Sequence, residues 1–189
     1  MVFIGEESTV QLSTAIGRFG LRKILVVTDK PLHDLGVLNT TLEALRLANV
    51  ETTIFDGVLP DPTAQIVDDG IACYHREDCD SVLAFGGGSS IDAAKVIALG
   101  VGNNCNTAGC LGIGKCKLPA VPFFAVPTTA GTGSEATFIA VISNNETHAK
   151  DAVVDPSLIP KAAALDPTIM RGLPKSITAA TGMDALTHA

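Results

Sequence analysis

Basic residues are scarce in this chain of 189: 13 Lys and Arg stand against 20 Asp and Glu, for a formal net charge of −7. A broad nucleic-acid or acidic-membrane surface needs clustered Lys and Arg, so neither partner is expected, although backbone amides remain free to bind an anion locally. Charge of either sign is low as well, at 17% of residues against 47% hydrophobic, which excludes a disordered chain. No apolar run approaches membrane-spanning length. The start, "MVFIGEESTVQLSTAIGRFG", carries two early glutamates and no basic segment before an apolar stretch, unlike a secretory signal, so a soluble cytoplasmic protein is expected. The five cysteines lack CxxC spacing, and their odd number favours free thiols over a disulfide framework. Cys105, Cys110 and Cys116 form the only tight group. They fall in a Gly/Asn-rich loop with no fourth partner in sequence, so ordinary loop thiols are expected rather than a structural metal site. No Ser/His/Asp set and no reactive-cysteine motif points to covalent catalysis. Repeats and low-complexity linkers are absent too, and the length suits one large domain, or one domain with the beginning of another.

What is present is an alternation of extended apolar runs with helical patterns, the mark of a parallel α/β sheet. "KILVVTD", a β-branched run closing on Thr28 and Asp29, predicts a strand buried on both faces, and "LNTTLEALRLANV" predicts the helix after it. "ETTIFDGV" is the second predicted strand. In "DPTAQIVDDGIACYHRED", Ile66, Gly70 and Cys73 recur at helical spacing, and Asp61, Pro62 and Thr63 can start the helix. "SVLAFGGG" then runs directly into "SSIDAAKVIALG", where Asp92 and rising helix propensity mark a helix that begins at the glycines.

Two loops carry the chemistry. Gly86, Gly87 and Gly88 remove side chains where a helix start aims unpaired N–H groups, which favours phosphate; read alone, GGGS without the GxGxxG pattern leaves a tight turn equally open. Its place after a parallel strand favours a ligand. The second loop lies in "PFFAVPTTAGTGSEAT". Thr128, Thr129, Thr132 and Ser134 supply hydroxyls among Gly131 and Gly133; a helix cap by Ser134 with Glu135 is the plainer reading, but four hydroxyls exceed what a cap requires. Two such loops at one sheet end could hold a dinucleotide. Asp29 could then accept from a ribose and repel a 2′-phosphate.

With "VVTDK", "DGVLPDPT", "FGGGSSIDAAKVIAL", "PTTAGTGSEAT", "KDAVVDPSLIPKAAALDP" and "LPKSITAATGMDALTHA" in order, nearly the whole chain resembles the iron-containing (group III) alcohol dehydrogenases. The resemblance implies an α/β fold: a Rossmann-like, mostly parallel sheet flanked by helices, with only the start of the family's C-terminal helical domain. It divides the chain into a dinucleotide-binding domain at 1–171 and the start of a helical metal-binding domain at 172–189. The implied activity is hydride transfer between NAD(H) and a small alcohol or aldehyde at a metal. Gly87, Gly88 and Ser89 match the pyrophosphate loop; Thr128, Thr129 and Thr132 match the second nucleotide loop. Asp29 matches the acidic residue tied to NAD preference, and Lys150 matches a lysine near the cofactor that would otherwise read as a solvated charge. Asp61 departs from the family's usual asparagine, which removes an amide donor, and is left out of the cofactor set.

Asp184 and His188, four apart on one helix face, match the first two ligands for iron, with zinc or another divalent metal possible. The resemblance implies two further histidines in segments that these 189 residues do not contain. His33, His75 and His148 fall outside the ligand motifs and read as surface histidines. Three classes follow: a metal-dependent dehydrogenase, a nucleotide-binding module without turnover, and an assembly piece that pairs as a homodimer or with a complementary helical domain.

Overall fold

The computed structural model describes residues 1–144 and 149–189, so the expectation for His148 lies outside the described residues. The chain opens with two elements that no long apolar run announces, strand β1 (Val2–Ile4) and helix α1 (Ser8–Gly17). Strand β2 (Lys23–Asp29), short helix α2 (Lys30–Asp34) and helix α3 (Asn39–Leu47) follow. Strand β3 (Glu51–Val58), helix α4 (Ala64–Arg76), strand β4 (Ser81–Gly86) and helix α5 (Gly88–Asn103) reproduce the predicted alternation. Next come α6 (Thr107–Cys110), β5 (Gly112–Ile113), β6 (Phe123–Pro127), β7 (Ile139–Ser143), β8 (Lys150–Val154) and β9 (Ala162–Leu165). Helices α7 (Pro167–Met170) and α8 (Lys175–His188) close the chain.

Six strands form the main sheet in the order β1-β9-β6-β4-β2-β3, parallel at every pairing. Parallel neighbours require crossovers, and these put helices on both faces. Leu25, Val27, Val82 and Ala84 bury one face with residues of α4 and α5, while Ile24, Val26, Leu83 and Phe85 bury the other with Leu12 and Ile16 of α1 and Leu45 of α3. Side chains that alternate into two cores explain why β2 and β4 read as continuous apolar runs rather than alternating ones. Helix α4 starts as its sequence demands, with Thr63 extended and its hydroxyl accepting from the Ile66 amide at 3.5 Å. A smaller sheet, β5-β8-β7, lies beside the α4 entry: Ser143 donates its amide to the Pro62 carbonyl at 2.8 Å. Among the described residues no helix is long and apolar enough to cross a membrane.

Candidate functional site

Three neighbouring strands end side by side. Val27 pairs with Ala84, and Gly86 with Pro127, so β2, β4 and β6 bring Asp29, the glycine turn and the threonine loop to one carboxyl edge. Open parallel sheets bind ligands at such an edge, where strand ends and helix N-termini meet. Asp29 caps α2: its Oδ1 accepts from the Leu32 amide at 2.9 Å, which fixes the carboxylate at the edge.

Gly87 is the N-cap of α5 and has no side chain to cap it, so the first-turn amides of Gly88, Ser89 and Ser90 point at the same edge without a side-chain acceptor. The second loop covers them closely. A Cβ on Gly88 would stand 2.9 Å from Thr132 Cγ2, and one on Gly87 would stand 3.4 Å from Thr129 Oγ1. Thr128 is buried, and its amide donates to the Gly86 carbonyl at 2.9 Å, which locks the two loops together. Amides and hydroxyls converge here with one carboxylate beside them. That donor set suits a pyrophosphate and a ribose, so a dinucleotide fits the residues present.

The threonine loop is held from beneath by three residues whose role the sequence did not disclose. Lys95 is fully buried, and its ammonium donates to Ser134 Oγ at 3.2 Å, Thr137 Oγ1 at 2.9 Å and the Ile139 carbonyl at 2.7 Å. Asp92 accepts from the Ser134 hydroxyl and, through Oδ2, from the Val141 amide at 2.9 Å. Ser134 is therefore no helix cap; Gly133 takes that position in a single 3-10 turn, and the serine bridges the partly buried Asp92 and the buried Lys95. Asp92, read as a marker of the helix start, likewise lies beyond the first turn and anchors β7. Burial pushes the Lys95 ammonium down to about 8 despite the opposing pull of Asp92, and burial raises the Asp92 carboxyl.

Lys150 meets Asp61, whose Oδ1 lies 2.9 Å from the ammonium, so the residue that departs from the usual asparagine ties β8 to the loop after β3. Both side chains are exposed, which makes the pair a positioning contact of small energy. His33 is not a free surface imidazole: its Nδ1 lies 2.7 Å from Asp56, and that contact lowers the Asp56 carboxyl below its ordinary value. His75 is exposed on α4 as expected.

On α8, Asp184 Oδ1 and His188 Nε2 stand 3.5 Å apart at i and i+4. Two bonds of about 2.1 Å to one divalent ion span that gap near the tetrahedral angle, so the oxygen and nitrogen donors fit a shared metal. No residue of α8 is buried, yet the helix is seated: a Cβ on Gly131 would stand 2.5 Å from the Thr181 carbonyl oxygen. The nucleotide-type loop thus touches the helix that carries the metal-type pair.

Residues 1–167 match the family model of iron-containing alcohol dehydrogenases. The chain is 38% identical to the NAD-dependent methanol dehydrogenase of Bacillus methanolicus, over 98% of this chain and 49% of the relative. A crystal structure of 1,3-propanediol oxidoreductase superposes with a TM-score of 0.95 at 40% identity, covering 100% of this chain and 49% of that one. The sulfoacetaldehyde reductase of Bifidobacterium kashiwanohense, solved in complex with NAD+, superposes with a TM-score of 0.89 at 31% identity, over 97% and 49% of the two chains. The chain therefore spans about half the length of the relatives it matches.

Proposed function

Because the chain belongs to the iron-containing alcohol dehydrogenase family, we propose that it forms the nucleotide-binding part of an oxidoreductase that moves hydride between NAD(H) and a small alcohol or aldehyde. The observation that carries this reading is the uncapped start of α5 facing a hydroxyl-lined loop at the level ends of three parallel strands. Gly87, Gly88 and Ser89 would receive the pyrophosphate on backbone amides, where no side chain intervenes and the helix dipole favours negative charge. Thr128, Thr129 and Thr132 line the opposite wall, where the exposed Thr132 hydroxyl accepts from the Ser134 amide at 3.3 Å and keeps its own proton to donate to a ligand. Asp29 would accept from ribose hydroxyls and repel a 2′-phosphate. Lys150, held by Asp61 at 2.9 Å, would approach the cofactor as the family resemblance implies.

Asp184 and His188 would hold a divalent metal, iron foremost, that supplies Lewis acidity to the substrate oxygen when bound. The protein's own contribution would be alignment: the close approach of Gly131 to the Thr181 carbonyl would seat α8 beside the nucleotide loops and so bring the two donors toward the cofactor edge. This reading divides the chain at residue 171, with 172–189 belonging to a helical metal-binding domain; an α8 with no buried residue supports that division. The same exposure favours a complementary helical domain or a second copy as partner, in a cytoplasmic enzyme. With two donors from the 189 residues, we expect this chain by itself to bind nucleotide while turning over alcohol negligibly.

Calorimetry with NAD+ and NADP+ on the chain and on Asp29→Ala tests the cofactor assignment. The expected result is a preference for NAD+ that shrinks in the variant. Equal discrimination by both proteins would remove Asp29 from the role.

A further inference from the structure

The loop from Asn104 to Ala120 gathers three thiols whose spacing alone suggests ordinary loop cysteines. Cys105 Sγ stands 3.5 Å from Cys110 Sγ, Cys110 Sγ stands 3.8 Å from Cys116 Sγ, and all three sulfurs lie within 4.8 Å of one another. The missing CxxC spacing is replaced by backbone geometry. Helix α6 turns Cys110 back over Cys105, and the left-handed backbone at Gly112 (φ 109°) and Gly114 (φ 57°) returns Cys116 to the pair.

The loop is pinned on both sides. Thr107 donates its amide and hydroxyl to Asp68 Oδ1 at 2.8 and 2.6 Å, while Asn103 Oδ1 accepts from the amides of Lys117 and Leu118 at 3.0 and 2.8 Å. The sulfurs are therefore preorganised rather than brought together by chance side-chain rotation.

We propose that Cys105, Cys110 and Cys116 form a three-thiolate site for a thiophilic d10 cation: zinc(II) with solvent as fourth ligand, or copper(I) with three sulfurs alone. Two thiolates on one zinc at about 2.3 Å stand roughly 3.8 Å apart at the tetrahedral angle, close to the 3.5 and 3.8 Å that separate Cys110 from its two partners. Sulfur donors without imidazole or carboxylate in the cluster select soft ions over iron(II), magnesium or calcium, so this site is chemically separate from the Asp184–His188 pair. As each metal–sulfur bond forms, its thiol proton passes to solvent; one cation replaces three protons and no electron moves. Cys110 is buried, and Cys105 opens onto a recess of about 250 Å³ that is also lined by His75 and Asp68.

The test uses the reduced, metal-free chain under anaerobic conditions, titrated with zinc(II) and separately with copper(I) against a competing chelator, with X-ray absorption to count sulfur neighbours. We expect one ion per chain at about three sulfurs near 2.3 Å, unchanged when Asp184 and His188 are both replaced by Ala. The preferred ion distinguishes the two coordination modes. Cys105→Ser and Cys116→Ser, which spare the buried thiol, should each weaken binding by more than the roughly 100-fold that loss of a mere supporting contact gives. Circular dichroism shows that the variants are folded; should either unfold, protection of the three native thiols from alkylation by one equivalent of zinc replaces it. An ion bound only by oxygen and nitrogen, or undiminished affinity in the serine variants, would each overturn the proposal.

Discussion

Replacing Lys95 by Met isolates the buried contact that holds the threonine loop on α5. Methionine keeps the length of the aliphatic stem and deletes the ammonium, which donates to Ser134, Thr137 and the Ile139 carbonyl. Removing one member of a buried charge pair costs about 3–5 kcal/mol, because the other charge stays behind uncompensated. Here Asp92 keeps two donors, the Ser134 hydroxyl and the Val141 amide, and Thr137 Oγ1 can turn fully to the Ile139 carbonyl, already 3.3 Å away. The lower end applies. We expect a loss of about 3 kcal/mol, or roughly 6–12 °C in Tm for a chain of this size.

Urea unfolding at pH 7 followed by circular dichroism measures the loss directly. The double variant Lys95→Met, Asp92→Asn should fall short of the sum of the single losses by about 1–2 kcal/mol, since the stranded charge is gone. A single-variant loss under about 1 kcal/mol, or strict additivity in the cycle, would refute the view that this lysine, acid and serine act as one unit.

Stability should also depend on pH through Lys95. Its folded-state pKa of about 8 lies below the ordinary 10.5, so between these values the unfolded chain holds a proton that the folded chain has lost. Stability from this group therefore rises with pH, by at most about 1.4 kcal/mol per unit, and the clean window is pH 8–9. Above that range, buried thiols such as Cys79, pushed up to about 11, act with the opposite sign. Unfolding at pH 8 and 9 should show the rise in the unsubstituted chain and not in Lys95→Met. Gly131→Ala should drive α8 off the loop, because the new methyl would meet the Thr181 carbonyl. Amide exchange across α8 should quicken while the free energy of urea unfolding changes by no more than about 0.5 kcal/mol, given a helix with nothing buried.

The central alternation of the fold was legible because β2 and β4 are buried on both faces, α4 starts at a Thr63 cap and α5 opens directly from a run of glycines. Elements at the margins were not. β1 has three residues, too few for a pattern, and β9 is the alanine run Ala162–Leu165, a strand only because it lies between β1 and β6. In such cases neighbours override weak intrinsic preference. The two candidate ligand loops could be read from glycines and hydroxyls, whose chemistry is local. Neither Lys95 nor the thiol cluster could be read that way. An Asp and a Lys three apart on a helix look like a surface pair until β7 is packed over them, and Cys105, Cys110 and Cys116, though grouped in sequence, look like ordinary loop thiols until two left-handed glycines turn the loop back. Both depend on contacts made by segments distant in sequence or on turn geometry.

The account rests on one claim, that the facing loops at the sheet edge take the pyrophosphate of NAD. Titration calorimetry of NAD+ into the 189-residue chain and into Gly88→Val measures it most directly. Valine would fill the gap between the α5 amides and Thr132, which is already at contact distance from a single added carbon. The account predicts one saturable site in the unsubstituted chain and at least a ~10-fold weaker one, about 1.4 kcal/mol, in a folded variant. Equal affinity in both proteins would contradict it.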